Sequence, residues 1–168
     1  MSKKVSRRGF LRGMLNPFRR DEEEGFSGLS PLLVRGDKAL EQGDFKLAIE
    51  CYEKFLEEEP DSLEVLKKCG YAYFKAGEFE QSRKYFNKVM EVRPKENFCL
   101  LYLGLGWAKQ GNLEQAVSYW KSYFNIQKPL VQRTINSVVA LFEAKEDQDP
   151  LKVAKEVEEA ILEQKKTK

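Results

Sequence analysis

Histidine is absent from all 168 residues. That removes the commonest general base, the side chain that titrates near neutrality and a frequent metal ligand, and with them most hydrolase and zinc mechanisms. Cysteine is scarce: Cys51, Cys69 and Cys99 are odd in number, lack CxxC spacing and fall inside helical patterns. They read as small core residues, not as ligands or a disulfide framework. No apolar run approaches the roughly 18 residues that a membrane span requires. Nor does any glycine cluster precede a helix start as a phosphate-binding loop demands. The carboxylate runs Asp21 to Glu24 and Glu57 to Glu59 read as solvated charge. An enzyme is not expected, and the residues offer no metal or cofactor site.

What is present is divided unevenly. The net charge of +2 conceals a basic start: Lys3, Lys4, Arg7, Arg8, Arg12, Arg19 and Arg20 fall within residues 1–20, which contain no acid. The other 22 basic and 27 acidic residues leave the remainder at −5 (29 − 7 = 22 bases against 27 acids). Such a body does not suit nucleic acid, which needs a basic face. A composition of 42% hydrophobic and 33% charged residues fits one domain with a modest core plus tails.

The strongest signal is a period of 34 residues. Gly36, Gly70 and Gly104 share a phase, as do Gly43, Gly77 and Gly111. The same register carries Phe45, Phe79 and Leu113, then Ala48, Ser82 and Ala116, then Tyr52, Phe86 and Trp120, then Phe55, Val89 and Tyr123. Each unit reads as two helices about a tight turn: Gly36 to Gln42, the pair Gly43-Asp44, then Phe45 to Glu59. Gly43 suits a left-handed turn and Asp44 can cap the helix that follows. Glycine inside a helix costs about 1 kcal/mol against alanine, so three in one phase imply a close helix crossing. The large Tyr52, Phe86 and Trp120 would fill what the small residues leave open. Pro60 and Pro94 stop the second helices of the first two units. A helix-turn-helix array of this period is a stack of repeats, all-α, with a core shared between neighbours.

The strings GDKALEQGDFKLAIECYEKFLEEEP, GYAYFKAGEFEQSRKYFNKVMEVRP and GLGWAKQGNLEQAVSYWKSYFNIQKP resemble the tetratricopeptide repeat. Departures are Ala39 where the family usually has an aromatic, Ser82 for alanine, and Lys128 with the proline one residue late. The resemblance implies three repeats at 29–62, 63–96 and 97–128, preceded by a basic tail over 1–28 and followed by capping helices over 129–168. It also implies a non-catalytic binding protein whose concave surface is formed by the first helix of each unit. By phase, the groove candidates are Leu33, Asp37 and Leu40, then Lys67, Tyr71, Phe74 and Lys75, then Phe98, Leu101, Leu105 and Lys109. The family's carboxylate clamp needs Lys, Asn and Arg. At the matching positions this chain has Leu33, Asp37, Lys68, Phe98 and Tyr102, so the clamp is missing. The remaining strip is apolar and aromatic with lysines at its margin, suited to an amphipathic or extended apolar segment of a protein or peptide partner.

Beyond the third unit, Val131, Ile135, Val138, Val139 and Phe142 recur at helical spacing, so residues 130–144 are expected to pack on the open end of the stack. Asp149 and Pro150 mark a further helix start, with Val153, Val157, Ile161 and Leu162 as its stripe. At the other end, Ser6-Arg7-Arg8-Gly9-Phe10-Leu11-Arg12 resembles the box of bacterial twin-arginine export signals, with Arg12 for lysine. The apolar stretch that such a signal needs is missing, since Asn16, Pro17, Arg19 and Arg20 follow Met14 and Leu15. Three readings stay open, the plainest being a flexible basic tail that ends in the linker Asp21 to Ser30. Phe10, Leu11, Met14, Leu15 and Phe18 form one helical face among seven positive charges, which suits an anionic membrane surface. Alternatively, the box marks an assembly factor for an exported or membrane-bound redox enzyme. The expectation is a bacterial adaptor, cytoplasmic or peripheral to the inner membrane.

Overall fold

The computed structural model describes residues 30–166, which form eight α-helices and no strand. They are α1 (Pro31–Gln42), α2 (Phe45–Glu58), α3 (Leu63–Lys75), α4 (Phe79–Val92), α5 (Asn97–Lys109), α6 (Leu113–Trp120), α7 (Pro129–Glu143) and α8 (Pro150–Lys166). The basic tail and its twin-arginine-like box lie outside the described residues. The first six helices are three antiparallel hairpins, α1/α2, α3/α4 and α5/α6, stacked side by side.

Each hairpin turns in the same way. Gly43, Gly77 and Gly111 hold φ near +80° (79°, 81° and 81°). The following N–H groups of Asp44, Glu78 and Asn112 reach back to the carbonyls of Ala39, Tyr73 and Trp107 at 2.9, 2.9 and 3.0 Å. A left-handed glycine that closes such a bond ends the first helix and aims the chain into the second. Asp44 caps α2 by accepting from the Leu47 N–H at 3.1 Å, and Asn112 caps α6 by accepting from Gln115 at 3.0 Å.

The helix glycines are contact points. A Cβ on Gly36 would stand 2.8 Å from the Tyr52 ring, and one on Gly70 would stand 2.7 Å from Phe86. One on Gly104 would collide with the Trp120 indole, 2.5 Å from its Cε2. Each glycine lets the aromatic of its own partner helix lie directly on the backbone, and Tyr52, Phe86 and Trp120 are correspondingly buried. Two apolar clusters result. One joins α1, α2 and one face of α3; the larger runs from α3 through α8.

The third unit departs from the first two. α6 ends at Trp120 after 8 residues, against 14 in α2 and in α4. Asn97 supplies the reason: its amide donates to the Phe124 carbonyl at 2.6 Å and accepts from the Phe124 N–H at 3.1 Å. These bonds hold residues 121–128 as turns against the start of α5, yet Tyr123 stays buried.

The C-terminal pair does not simply cap the open end. α7 packs against α6, burying Val131, Ile135 and Val138. α8 then runs back beside α7 and lies against α5 on the other side of the stack. Val153, Ala154, Val157 and Ala160 are its buried face, whereas Leu162, expected in the stripe, is exposed. The reason is rotational: the stripe 153-157-160 meets α5 and α7, and Leu162 falls outside that arc.

Candidate functional site

The first helices of the hairpins, α1, α3 and α5, line one face of the stack, and their groove candidates fall into three groups. The first is a ring cluster. Tyr71 and Phe74 on α3 meet Phe98 and Tyr102 on α5, with centroids 5.6 Å apart for Tyr71 and Phe98, 4.9 Å for Tyr71 and Tyr102, and 5.1 Å for Phe74 and Tyr102. Phe98 and Tyr102 are 4.7 Å apart. Edge-to-face rings at these separations add attraction beyond their buried area. Burial pushes the Tyr102 phenol far above its ordinary range, with Tyr71 beside it a smaller cause. Tyr71 and Phe98 remain partly open to solvent; Phe74 is 6% exposed and belongs to the core.

The second group is already occupied by the protein itself. Leu101 and Leu105, expected to face a partner, are 2% and 0% exposed. α8 packs on α5 beside them, and Lys109 pairs with Glu158 of α8 at 2.9 Å. Lys75 rests over the Phe45 ring at 5.8 Å. Leu105 and Lys109 of the third repeat therefore face an intramolecular helix and Leu101 lies in the core, and that part of the expected partner surface is corrected. A sequence period cannot announce this, because α8 lies outside the repeat.

The third group ties helices together. Asp37 accepts from the Tyr52 hydroxyl at 2.7 Å and from Lys68 Nζ through both oxygens, at 2.8 and 2.7 Å. One carboxylate thus joins α1, α2 and α3. Burial, reinforced by that hydrogen bond, raises the Tyr52 pKa well above its ordinary value. Lys67 pairs with Glu64 at 2.8 Å and lies 3.7 Å from Glu96, and Arg93 approaches the same two carboxylates. On another face of α2, Glu53 accepts from both Tyr73 and Tyr85, at 2.6 and 2.8 Å. Asp37 and Glu53 are therefore structural acceptors, and Asp37 is not a free group in the groove.

Open clefts on this face include one of about 260 Å³ where Tyr71, Phe74, Lys75 and Leu105 meet α8, and one of about 370 Å³ between α1, α3, α5 and the end of α8; the second joins more elements. Its apolar wall is Leu40, Tyr71, Phe98, Tyr102 and Ile161, and its charged lining is Lys67, Lys68, Lys128 and Lys165 with Glu64. Leu33 is half-buried on α1 without lining this cleft. Sequence reasoning placed Leu40, Lys67, Tyr71 and Phe98 on this face. It did not place Ile161 or Lys165 there, since both come from α8. Ile161 was legible as part of the α8 stripe, but nothing in the chain signalled where that stripe would dock.

Cys69 and Cys99 are fully buried and Cys51 nearly so, all as free thiols. Burial pushes the Cys69 and Cys99 thiols up to about 12, which leaves negligible thiolate at neutral pH. Among the described residues, no group of His, Cys, Asp and Glu is placed to hold a metal ion. Among the same residues, no helix is long and apolar enough to cross a membrane.

Residues 39–98 match the family model described as tetratricopeptide repeat. No curated protein matches the chain.

Proposed function

Because the chain is a tetratricopeptide repeat protein, a class that generally mediates protein–protein contacts, we propose that it is a non-catalytic adaptor holding a partner segment in the cleft between α1, α3, α5 and α8. One observation carries this reading: aromatic walls and lysines meet in one concave cleft between α1, α3, α5 and α8, on the face that the first helices line. Concave apolar surface with a few convergent charged groups is the ordinary form of a peptide site. Lys67 and Lys68 are shared with Glu64, Glu96 and Asp37, so it is Lys165 at the end of α8 that favours an acidic group, and the rings favour a segment bearing an aromatic or large apolar side chain.

The test is selection from a displayed peptide library against the full chain, followed by titration of the selected peptides. Acidic, aromatic-containing sequences should dominate. Tyr71→Ser and Lys165→Glu should each weaken them about tenfold or more, equivalent to about 1.4 kcal/mol. Lys84→Glu on the exposed side of α4 should leave affinity unchanged. Selection of basic peptides, or equal loss in all three variants, would refute the site.

The tail, residues 1–20, is assigned to an anionic membrane surface, where each basic residue contributes about 1 kcal/mol. The Ser6 to Arg12 box favours a second reading, that of an assembly factor recognised through its arginine pair. Arg7→Lys/Arg8→Lys separates the two. An electrostatic tether still sediments with anionic vesicles after this change, whereas recognition of the arginine pair fails.

A further inference from the structure

The segment of this chain just ahead of α1 has the chemistry that the cleft selects. Asp21, Glu22, Glu23 and Glu24 are followed by Gly25 and Phe26, and they lie outside the described residues. We infer that this segment is an intramolecular ligand of the cleft, with Phe26 seated against the Tyr71, Phe98 and Tyr102 rings and the four carboxylates on the lysine margin.

Charge gives the first argument. Four lysines and one glutamate line the cleft, although residues 21–168 together carry five more acids than bases (27 − 22). Lys67 and Lys68 share Glu64, Glu96 and Asp37; with four lysines against those three carboxylates, the cleft still keeps a small positive surplus on an acidic body. It attracts the acidic run and repels the seven positive charges of residues 1–20, so the two halves of the N-terminal region are directed differently. Side-chain type gives the second argument: Phe26 is the aromatic nearest to the acidic run, two residues after it, as a mixed acidic and aromatic site requires.

Reach gives the third. The described chain begins at Ser30, immediately before α1. Phe26 stands four residues earlier, and four extended residues span about 13 Å. α1 and α3 run the same way, since α2 returns the chain between them, and the 34-residue register sets Lys67 on α3 level with Leu33 on α1. Leu40 of α1 itself lines the cleft, so the cleft borders the helix that the segment leads into. Asp37 on α1 accepts from Lys68 on α3 at 2.7 Å, so side chains of the two helices meet at this level.

The consequence is regulatory and rests on the adaptor reading: a partner of the same acidic, aromatic chemistry must displace the segment before it binds. Docking itself does not depend on that reading. It is tested on purified full chain with no partner present, by Phe26→p-benzoylphenylalanine, irradiation at low concentration and mapping of the monomeric adducts. The expected adducts fall on Tyr71, Phe98, Tyr102 or Ile161. Their yield should drop about five-fold with Glu22→Gln/Glu23→Gln/Glu24→Gln, and similarly at 1 M salt, where the screening length is about 3 Å. Adducts elsewhere, adducts only between two copies, no adduct, or a yield indifferent to those glutamines would overturn the inference. These outcomes concern the segment alone. Failure of the adaptor reading shows separately, as cleft adducts in a protein whose selected peptides ignore Tyr71→Ser.

Discussion

Gly104→Ala is the substitution that tests the packing logic most sharply, because opposing effects of known size meet there. Alanine is the better helix former by about 1 kcal/mol, so on propensity alone the change stabilises. The structure reverses that sign. The new methyl collides with the Trp120 indole, which is 1% exposed and donates from Nε1 to the Leu101 carbonyl at 3.3 Å. Overpacking a closed core costs about 1–3 kcal/mol, and pushing the indole away forfeits a hydrogen bond of about 1 kcal/mol. The net is a destabilisation of about 2 kcal/mol once the propensity gain is subtracted. Gly106, two residues along the same helix, is the control. A Cβ there meets Phe79 at an ordinary 3.6 Å, so Gly106→Ala should stabilise by up to about 1 kcal/mol. With a urea slope of about 2 kcal/mol/M, the unfolding midpoint followed by helical circular dichroism should fall about 1 M in the first variant and rise about 0.5 M in the second. Trp120→Phe combined with Gly104→Ala should cost less than the sum of the single changes. If Gly104→Ala proves as stable as Gly106→Ala, the account of the helix glycines as contact points is wrong.

Three further outcomes follow from named contacts. Asp37→Ala strips Tyr52 and Lys68 of their shared acceptor and should destabilise by about 1–3 kcal/mol, measured by the same urea titration; a loss below about 0.5 kcal/mol would reduce it to a surface pair. Lys145 ends α7 at φ 58° without being glycine, so Lys145→Gly should stabilise by about 1 kcal/mol, and a lower midpoint would contradict that. The three thiols should resist a disulfide reagent in native protein and all react in urea. The raised Cys69 and Cys99 values add a pH signature, because the folded state keeps these protons to a higher pH than the unfolded chain does. The stability they confer is therefore complete below pH 9 and is lost as pH climbs from 9 towards 12. The slope is at most about 1.4 kcal/mol per pH unit for each thiol, and an unfolding midpoint that stays flat well above pH 9 would refute it.

The repeats were readable in the sequence because their determinants are local or recur at a fixed offset. Gly43 and Asp44 act within one turn, and Gly36 meets Tyr52 within one hairpin, so the 34-residue phase reveals both. Two features had no such signature. The early end of α6 depends on Asn97 bonding to Phe124 across 27 residues, a single tertiary contact that no period encodes. The docking of α8 on α5 depends on which rotation buries Val153, Val157 and Ala160 together. Its stripe was visible, and its destination was not. The candidate site inherits that split: Leu40, Lys67, Tyr71 and Phe98 follow from phase, whereas Ile161 and Lys165 arrive with α8 and the covering of Leu101 and Leu105 comes with them.

The adaptor reading requires that a partner enter between α3, α5 and the end of α8. It is tested most directly by a photoreactive residue in place of Tyr71 in the full chain, irradiated in living cells and compared with the same residue in place of Lys84. One discrete intermolecular adduct is expected from position 71, lost with Lys165→Glu and absent from position 84. A silent position 71, or the same adduct from both positions, would contradict it.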